Sequence, residues 1–273
     1  MPMPLIEARG LSLQAEGRVL IADLNWQAGV GERWCVIGRN AVGKSTLLRA
    51  LAGLSVPGRS GRVDWLGRDQ AKWAIADAAA VRAFAPQQLA DRFPIAVRRL
   101  LELAVCAPGG PAAGQVMESL DVETLAARDV MQLSGGERQR VALAQCAVQG
   151  APLLLLDEPV AFQDPAHQLQ VSRWLVSLSG KRLAAPSFLD PHGPASRMRA
   201  ERNPALAEPS CSCLVVSAHD VNWIAGVATH VLALHGDGRW EAGPAAQMLD
   251  AARLEAVYGC RWRQADGAWL AVA

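Results

Sequence analysis

Residues 34–51 read WCVIGRNAVGKSTLLRAL, and this stretch decides the fold. An apolar run, a glycine-rich segment and a leucine-rich run with helical spacing predict a buried strand, a loop and a helix. Within the loop, Gly38, Gly43, Lys44 and Ser45 fit the pattern G-x-x-x-x-G-K-[ST]. Because the glycines let the backbone curl, its N–H groups can surround a β-phosphate, and the Lys44 ammonium can reach the β- and γ-phosphates. A turn that merely linked a strand to a helix would not need the Lys-Ser pair, so the stretch predicts a nucleotide-phosphate site.

The rest of the loop is predicted to contact the same nucleotide. The Ser45 hydroxyl is placed for Mg²⁺, and Thr46 lies one helical step further on, within reach of an α-phosphate. The positive end of the helix that begins near Lys44 favours the same anion. The predicted nucleotide-binding residues of this loop are Gly38, Arg39, Asn40, Ala41, Val42, Gly43, Lys44, Ser45 and Thr46.

A second signal lies downstream, where residues 153–159 read LLLLDEP. The run predicts a buried strand that ends in two adjacent carboxylates, Asp157 and Glu158. Because side chains alternate along a strand, the two carboxylates cannot share one role. Asp157 suits Mg²⁺, and Glu158 suits polarisation of the water that attacks a γ-phosphate. The alternative is a solvated strand end, but the phosphate-loop motif in the same chain favours the catalytic interpretation.

Between these two segments, residues 133–140 read LSGGERQR. With this third motif the chain resembles the nucleotide-binding subunit of ABC transporters, over about residues 5 to 260. In that family, the residues at the positions of Ser134, Gly135 and Gly136 contact the γ-phosphate of an ATP held by the opposing subunit. A hydroxyl, bare glycine N–H groups and a helix N-terminus together make an anion site, whereas a helix cap alone would explain only the serine. The resemblance implies ATP and Mg²⁺ as cofactors and a second copy of the chain as a partner.

Three further residues match the family, each with a structural alternative. Gln87 in FAPQQ matches the Q-loop glutamine, which senses Mg²⁺ and water, although Gln88 is a rival and both suit an exposed loop. His219 in VSAHD matches the switch histidine that contacts the γ-phosphate, whereas a lone histidine is more often structural. Asp164 in AFQDP resembles the D-loop aspartate at the dimer interface and equally suits a helix N-cap before Pro165. The predicted catalytic residues are Glu158, His219 and Gln87, the predicted metal-binding residues are Ser45, Gln87 and Asp157, and Asp164 joins the nucleotide-contacting set.

The chain departs from the family pattern at several positions. The family usually has glycine where Ala41 stands, and a small residue and leucine where Phe162 and Gln163 precede the D-loop aspartate. It often places an aromatic residue near position 14 or 15 to stack on adenine, but Gln14 and Ala15 occupy that stretch. ATP affinity is therefore expected to depend more on phosphate contacts.

The composition is that of a globular chain with little net charge. Of the 273 residues, 51% are hydrophobic and 19% charged, which excludes wholesale disorder, collagen-like repeats and a coiled coil. Lys and Arg total 27 against 26 for Asp and Glu, and the net charge of +1 provides no long-range attraction for phosphate backbones. Nucleic acid is therefore not an expected partner.

The same numbers predict where the chain is located. The mean hydropathy of +0.12 is high, yet no apolar run reaches the roughly eighteen residues that span a bilayer. Glu7 and Arg9 lie where a signal peptide would be apolar, and the scattered cysteines favour reduced thiols. Cys211 and Cys213 form a lone C-x-C, for which a metal or redox role is a minor alternative. We expect a cytoplasmic protein.

Alternating helical and strand segments predict the fold class α/β, and the resemblance implies a P-loop NTPase core with a mostly parallel sheet. Two alternating runs joined by Ala15, Glu16 and Gly17 predict an N-terminal antiparallel β subdomain. Residues 88–132 are predicted to form a small helical subdomain, and 180–213, with five of the sixteen prolines, a flexible surface insertion. Residues 244–273 are predicted to form a helical tail, and 1–273 to be a single ABC-type ATPase domain.

Further strings narrow the class of transporter. Three strings resemble importers of cobalamin, haem and ferric siderophores: DPAHQLQ at 164–170, HDVNWIAGVATHVLALHGDGRWEAGPAAQML at 219–249, and AVYG at 256–259. The resemblance implies an ATPase on the cytoplasmic face of the inner membrane, bound to integral-membrane permease subunits and working indirectly with a periplasmic binding protein. Alternatives are a soluble ABC-type ATPase acting on ribosomes or DNA, a transporter ATPase for another substrate, and a nucleotide-binding module that does not hydrolyse.

Overall fold

The computed structural model describes residues 3–88, 93–105, 111–178 and 213–272. Its strands alternate with helices through the centre of the chain, as the apolar runs predicted. The strands are β1 (Ile6–Ala15), β2 (Arg18–Ala28), β3 (Arg33–Ile37), β4 (Arg59–Trp65), β5 (Arg68–Asp69), β6 (Arg82–Ala85), β7 (Leu153–Asp157), β8 (Cys213–Ser217), β9 (His230–Leu234), β10 (Trp240–Pro244), β11 (Arg261–Ala265) and β12 (Ala268–Val272).

Along the chain, most of the helices follow one strand of the central sheet and precede the next. They are α1 (Lys44–Leu51), α2 (Ile75–Val81), α3 (Val97–Ala104), α4 (Ala113–Ser119), α5 (Gly135–Gln149), α6 (Pro165–Leu178), α7 (Val221–Val227), α8 (Ala245–Met248) and α9 (Ala251–Tyr258). In the described ranges, no helix combines the length and the apolar character needed to cross a membrane.

The central sheet has six strands in the order β10-β9-β3-β8-β7-β6. Every neighbouring pair from β9 to β6 is parallel, and only β10 runs antiparallel to its neighbour, which confirms the predicted mostly parallel sheet. Because parallel strands end at one edge, the loop after β3 and the carboxylates after β7 lie at the same edge of the sheet. This edge is where the candidate site is built.

A second sheet, in the order β2-β1-β4-β5, is antiparallel throughout and confirms the predicted N-terminal β subdomain. It covers one face of the central sheet across α1, where Leu47, Leu48 and Leu51 are fully buried beside Leu11 and Trp65. This apolar layer fixes the position of α1, the helix that follows the phosphate loop.

The other face of the central sheet packs against α5 and the predicted helical subdomain. The described part of residues 88–132 contains α3 and α4, with Leu101 and Leu120 fully buried in that second core. Residues 89–92 and 106–110 of the segment, and 180–212 of the predicted insertion, lie outside the described residues.

The prediction of a helical tail over 244–273 is wrong for its second half. Helices α8 and α9 form, but β11 and β12 then pair as an antiparallel hairpin. The turn between them has φ of 50° at Asp266 and 78° at Gly267, the left-handed pair that a type I′ turn requires. The Asp-Gly dipeptide between short alternating runs was therefore the signal for a hairpin.

Candidate active site

The loop between β3 and α1 closes tightly on itself. Gly38 has φ of 150°, and a Cβ at this position would lie 2.8 Å from both Leu234 O and Val42 Cγ1. No side-chain hydrogen bond caps α1, whose N-cap residue is Gly43, so the N–H groups of its first turn face the loop without a side-chain partner. Such a loop supplies the backbone cradle and the positive helix end that a phosphate requires, and it fits a nucleotide phosphate.

Lys44 lies over this cradle. Its side chain is 6% exposed, and Nζ donates hydrogen bonds to Gly38 O at 2.8 Å and Arg39 O at 3.1 Å. Burial lowers the pKa of the Lys44 ammonium, while the nearby carboxylates of Glu158 and Asp157 act against that shift. The loop, the ammonium and the strand-end carboxylates are therefore parts of one electrostatic site.

The two carboxylates have different surroundings, as strand alternation predicted. Asp157 is 3% exposed and accepts a hydrogen bond from Ser217 Oγ at 2.5 Å, whereas Glu158 is half-buried. The backbone N–H of Glu158 donates to the same Ser217 Oγ at 3.0 Å. One hydroxyl on β8 thus fixes both residues at the end of β7, and Glu158 adopts a left-handed φ of 50°. Sequence reasoning missed Ser217, although a lone hydroxyl that ends an apolar strand was a usable signal.

Gln87 reaches the same place from the end of β6. Its Nε2 donates to Glu158 Oε2 at 2.8 Å, while Gln88 is exposed, so the structure favours Gln87 over its rival. His219 is exposed just beyond the end of β8, two residues after Ser217. The edge of the parallel sheet therefore carries Lys44, Glu158, Gln87 and His219.

Ser134 begins α5 with a capping box. The Ser134 N–H donates to Glu137 Oε2 at 2.8 Å, and Ser134 Oγ accepts from the Glu137 N–H at 3.3 Å. Because Oγ acts only as an acceptor in this pair, its own proton remains available to an anion. A Cβ on Gly136 would lie 2.9 Å from Phe162 O, so this glycine is needed for the close approach of the D-loop.

Asp164 lies directly before α6, where the sequence predicted a helix N-cap as one alternative. The His167 N–H donates to Asp164 Oδ1 at 3.0 Å, which confirms the capping alternative. No hydrogen bond among the described residues joins this cluster of Ser134, Gly136, Phe162 and Asp164 to the phosphate loop. The candidate site residues therefore fall into two groups, one around Lys44 and Glu158 and one around Ser134.

Comparison with known proteins places this geometry in a family. The family model described as ABC transporter matches residues 21–161, just over half of the chain. The chain belongs to the ABC transporter family. The matched region contains the phosphate loop, the LSGGERQR segment and both strand-end carboxylates, and it ends before Asp164 and His219. Membership makes this chain an ATP-binding ATPase, as its motifs predicted.

Two relatives of this ABC transporter chain match along almost their whole length. A hemin import ATP-binding protein of Rhizobium meliloti (strain 1021) is 30% identical over 273 residues, covering 95% of this chain and 93% of the relative. A vitamin B12 import ATP-binding protein of Vibrio cholerae serotype O1 (strain M66-2) is 31% identical over 269 residues, covering 93% and 94%. A solved ATP binding subunit of an ABC transporter has a TM-score of 0.69 at 18% identity, covering 94% of this chain and 95% of that one, and it confirms the ABC transporter fold.

Proposed function

We propose that this chain is the ATP-hydrolysing subunit of an importer for a metal chelate, of the haem, cobalamin or ferric-siderophore type. The relatives named for hemin and vitamin B12 import support this class, since each aligns with over nine-tenths of the chain. The observation that carries the catalytic part is the 2.8 Å hydrogen bond from Gln87 Nε2 to Glu158 Oε2. It joins the proposed base for hydrolysis to the loop that leads into the helical subdomain.

In the proposed site, each residue has one role. Glu158 orients and polarises the attacking water, and its half-buried position beside Lys44 keeps the carboxylate close to the phosphate cradle. Gln87 holds the Glu158 carboxylate in place, and Lys44 neutralises charge on the β- and γ-phosphates. His219 would contact the γ-phosphate from the end of β8.

Ser45, Asp157 and Gln87 would hold Mg²⁺. The fit is chemical, because a hydroxyl at the first turn of α1 and a buried carboxylate supply the oxygen ligands that this ion prefers. When bound, Mg²⁺ would supply positive charge that offsets the charge of the phosphates. The Ser217 hydroxyl keeps Asp157 in one orientation by its bond to Oδ1.

The second group of residues would act on another copy of the chain. Ser134, Gly135 and Gly136 would contact the γ-phosphate of an ATP held by the opposing phosphate loop, so ATP would close a homodimer and hydrolysis would release it. Exposed apolar side chains at Phe93 and Leu103, 75% and 61% accessible, support docking of the helical subdomain on permease subunits. The protein would then be peripheral, on the cytoplasmic face of the inner membrane, and would act on a periplasmic binding protein only indirectly.

The catalytic proposal is tested by Glu158→Gln and Lys44→Ala. We expect Glu158→Gln to lower kcat for ATP hydrolysis by about 10²-fold or more, while Mg²⁺-ATP binding persists and an ATP-dependent dimer accumulates. Lys44→Ala should abolish nucleotide binding, because no other ammonium is described in the cradle. Phosphate release and sedimentation velocity measure the two effects.

Gln87→Ala and Gln88→Ala form a matched pair of neighbours for the same assay. Only the first removes a contact with Glu158, so only the first should lower kcat. Unchanged hydrolysis in Glu158→Gln would refute the role of this carboxylate. Failure of the protein to co-purify with any detergent-solubilised membrane subunit, together with purification on ribosomes, would refute the importer proposal.

A further inference from the structure

Two side chains on the first turns of α6 contact the end of the helical subdomain. His167 Nε2 lies 3.4 Å from Asp121 Oδ2, and Gln170 Nε2 donates to Ser119 O at 3.1 Å. Ser119 ends α4, and Asp121 follows in a turn with φ of 52°. One titratable and one neutral contact therefore join the same helix face to α4.

The other side of the His167 ring binds the D-loop. Nδ1 lies 2.7 Å from Asp164 Oδ2, and the His167 N–H donates to Asp164 Oδ1. The imidazole is 27% exposed, against 58% for Asp164 and 59% for Asp121, so the ring is the most enclosed of the three groups. These contacts lower the pKa of Asp164, with the backbone hydrogen bond from His167 as the largest cause.

A ring between two carboxylates depends on its protonation state. A carboxylate only accepts hydrogen bonds, and a neutral imidazole has a single N–H, so it can donate to one partner at a time. An imidazolium has two N–H groups and can donate to both. In the described part of the chain, Asp164, directly before α6, and Asp121, after α4, are the charged groups that bond to this ring. Both contacts are therefore complete only when the ring is protonated.

We propose that His167 is a pH-sensitive positioning residue that fixes Asp164 relative to the helical subdomain. The proposal rests on the proposed function as a homodimer, together with the resemblance of Asp164 to the D-loop aspartate at the dimer interface. It gives the helical subdomain a second route to the nucleotide interface, through α4 and His167, besides the route through Gln87. Because only the protonated ring can donate to both carboxylates, loss of its proton removes one hydrogen bond from this bridge between Asp164 and Asp121.

The bridge itself is tested without nucleotide, by a double-mutant cycle on unfolding. His167→Asn, Asp121→Asn and the double variant are compared with the wild type by urea denaturation at about pH 5.5 and about pH 8.5. We expect a coupling of about two- to fivefold in the unfolding equilibrium constant at the lower pH, and none at the higher pH. Gln170→Ala is the matched control, because it removes the neutral contact and should change stability equally at both pH values. Coupling that is absent at the lower pH, or equal at both, overturns the proposal.

The effect on Asp164 is tested by the pH profile of ATP-dependent dimerisation and of kcat and KM. His167→Asn and Asp121→Asn should flatten the profile in the same way, the double variant should resemble either single variant, and Gln170→Ala should keep the wild-type shape. A wild-type profile in His167→Asn overturns the link to Asp164. Absence of ATP turnover in the wild-type protein would instead refute the proposed function, and the unfolding cycle would still report the bridge.

Discussion

Ala41 adopts a left-handed backbone, with φ of 59°, in the exposed part of the phosphate loop. The resemblance places glycine at this position, and an L-residue in this conformation costs about 1–2 kcal/mol. Glycine would relieve that strain, but its greater conformational entropy in the unfolded state would lower the free energy of unfolding by about 0.5–1 kcal/mol. We therefore expect Ala41→Gly to raise the free energy of unfolding by about 0.5–1 kcal/mol, measured by urea denaturation.

An exposed alanine with helical backbone provides the control for this substitution. Ala256 lies in α9, where glycine should destabilise the protein by about 1 kcal/mol. Changes of opposite sign in the free energy of unfolding at the two positions would distinguish relief of backbone strain from the general destabilisation by glycine. Destabilisation by Ala41→Gly would contradict the strained conformation.

At the residue scale, the sequence predicted groups whose chemistry follows from local spacing. Lys44 and Glu158 could be predicted because a loop pattern and a strand end fix their place without knowledge of the rest of the fold. The partners of Ser217 and His167 could not be predicted, because they depend on the parallel register of β7 with β8 and on the approach of α6 to α4. Contacts between distant segments need the assembled sheet.

At the element scale, the start of α5 depends on the Glu137 carboxylate. It accepts from the Ser134 N–H and from Arg128 Nη1, the latter at 2.7 Å. The Ser134 backbone hydrogen bond is the largest of the causes that lower the pKa of Glu137. Because the folded pKa is lowered, the stabilisation is present above the unfolded pKa and is lost as pH falls through the folded value. Glu137→Ala should lower the free energy of unfolding by about 1 kcal/mol at neutral pH.

Glu137→Gln is the matched variant, since an amide oxygen can still accept from Ser134 but cannot pair with the Arg128 cation. We expect its Tm to lie between those of the wild type and Glu137→Ala at about pH 7, and to approach that of the wild type as pH falls through the lowered pKa of Glu137. A gap between wild type and Glu137→Gln that stays constant over this range would contradict the carboxylate's role.

The C-terminal hairpin shows how one element was missed. The helical spacing of Leu254 and Val257 correctly predicted α9, and its extension over the remaining residues ignored the Asp266–Gly267 turn. The hairpin is fixed by a tertiary contact, since Trp269 and Asn222 exchange two hydrogen bonds of 2.7 and 3.0 Å. Its turn was predictable, but its docking on α7 was not.

At the scale of the whole molecule, the parallel sheet collects groups from four strands at one edge. The loop after β3 packs under Leu234 at the end of β9, and Gln87, Glu158 and His219 follow the ends of β6, β7 and β8. This edge holds one group of predicted residues. No hydrogen bond among the described residues connects that group to the cluster around Ser134. A single chain therefore presents two separate groups of candidate phosphate contacts, which is the arrangement that the proposed homodimer requires.

Phe162 provides the last prediction, about self-association. Its side chain is 78% exposed with φ of 63°, although the next residue, Gln163, is buried and donates to Pro159 O at 3.1 Å. A firmly held loop thus presents an aromatic group beside Gly136, and burying a phenylalanine contributes about 1.5–3 kcal/mol. In a Glu158→Gln background with Mg²⁺-ATP, Phe162→Ala should weaken dimerisation by about tenfold or more, measured by sedimentation velocity. The 92% exposed Ile75 on α2 is the control, because Ile75→Ala should leave dimerisation unchanged. Both substitutions are at exposed positions and should leave the Tm of the nucleotide-free protein unaltered. Equal dimerisation in the two variants would therefore show that Phe162 does not contribute to the interface.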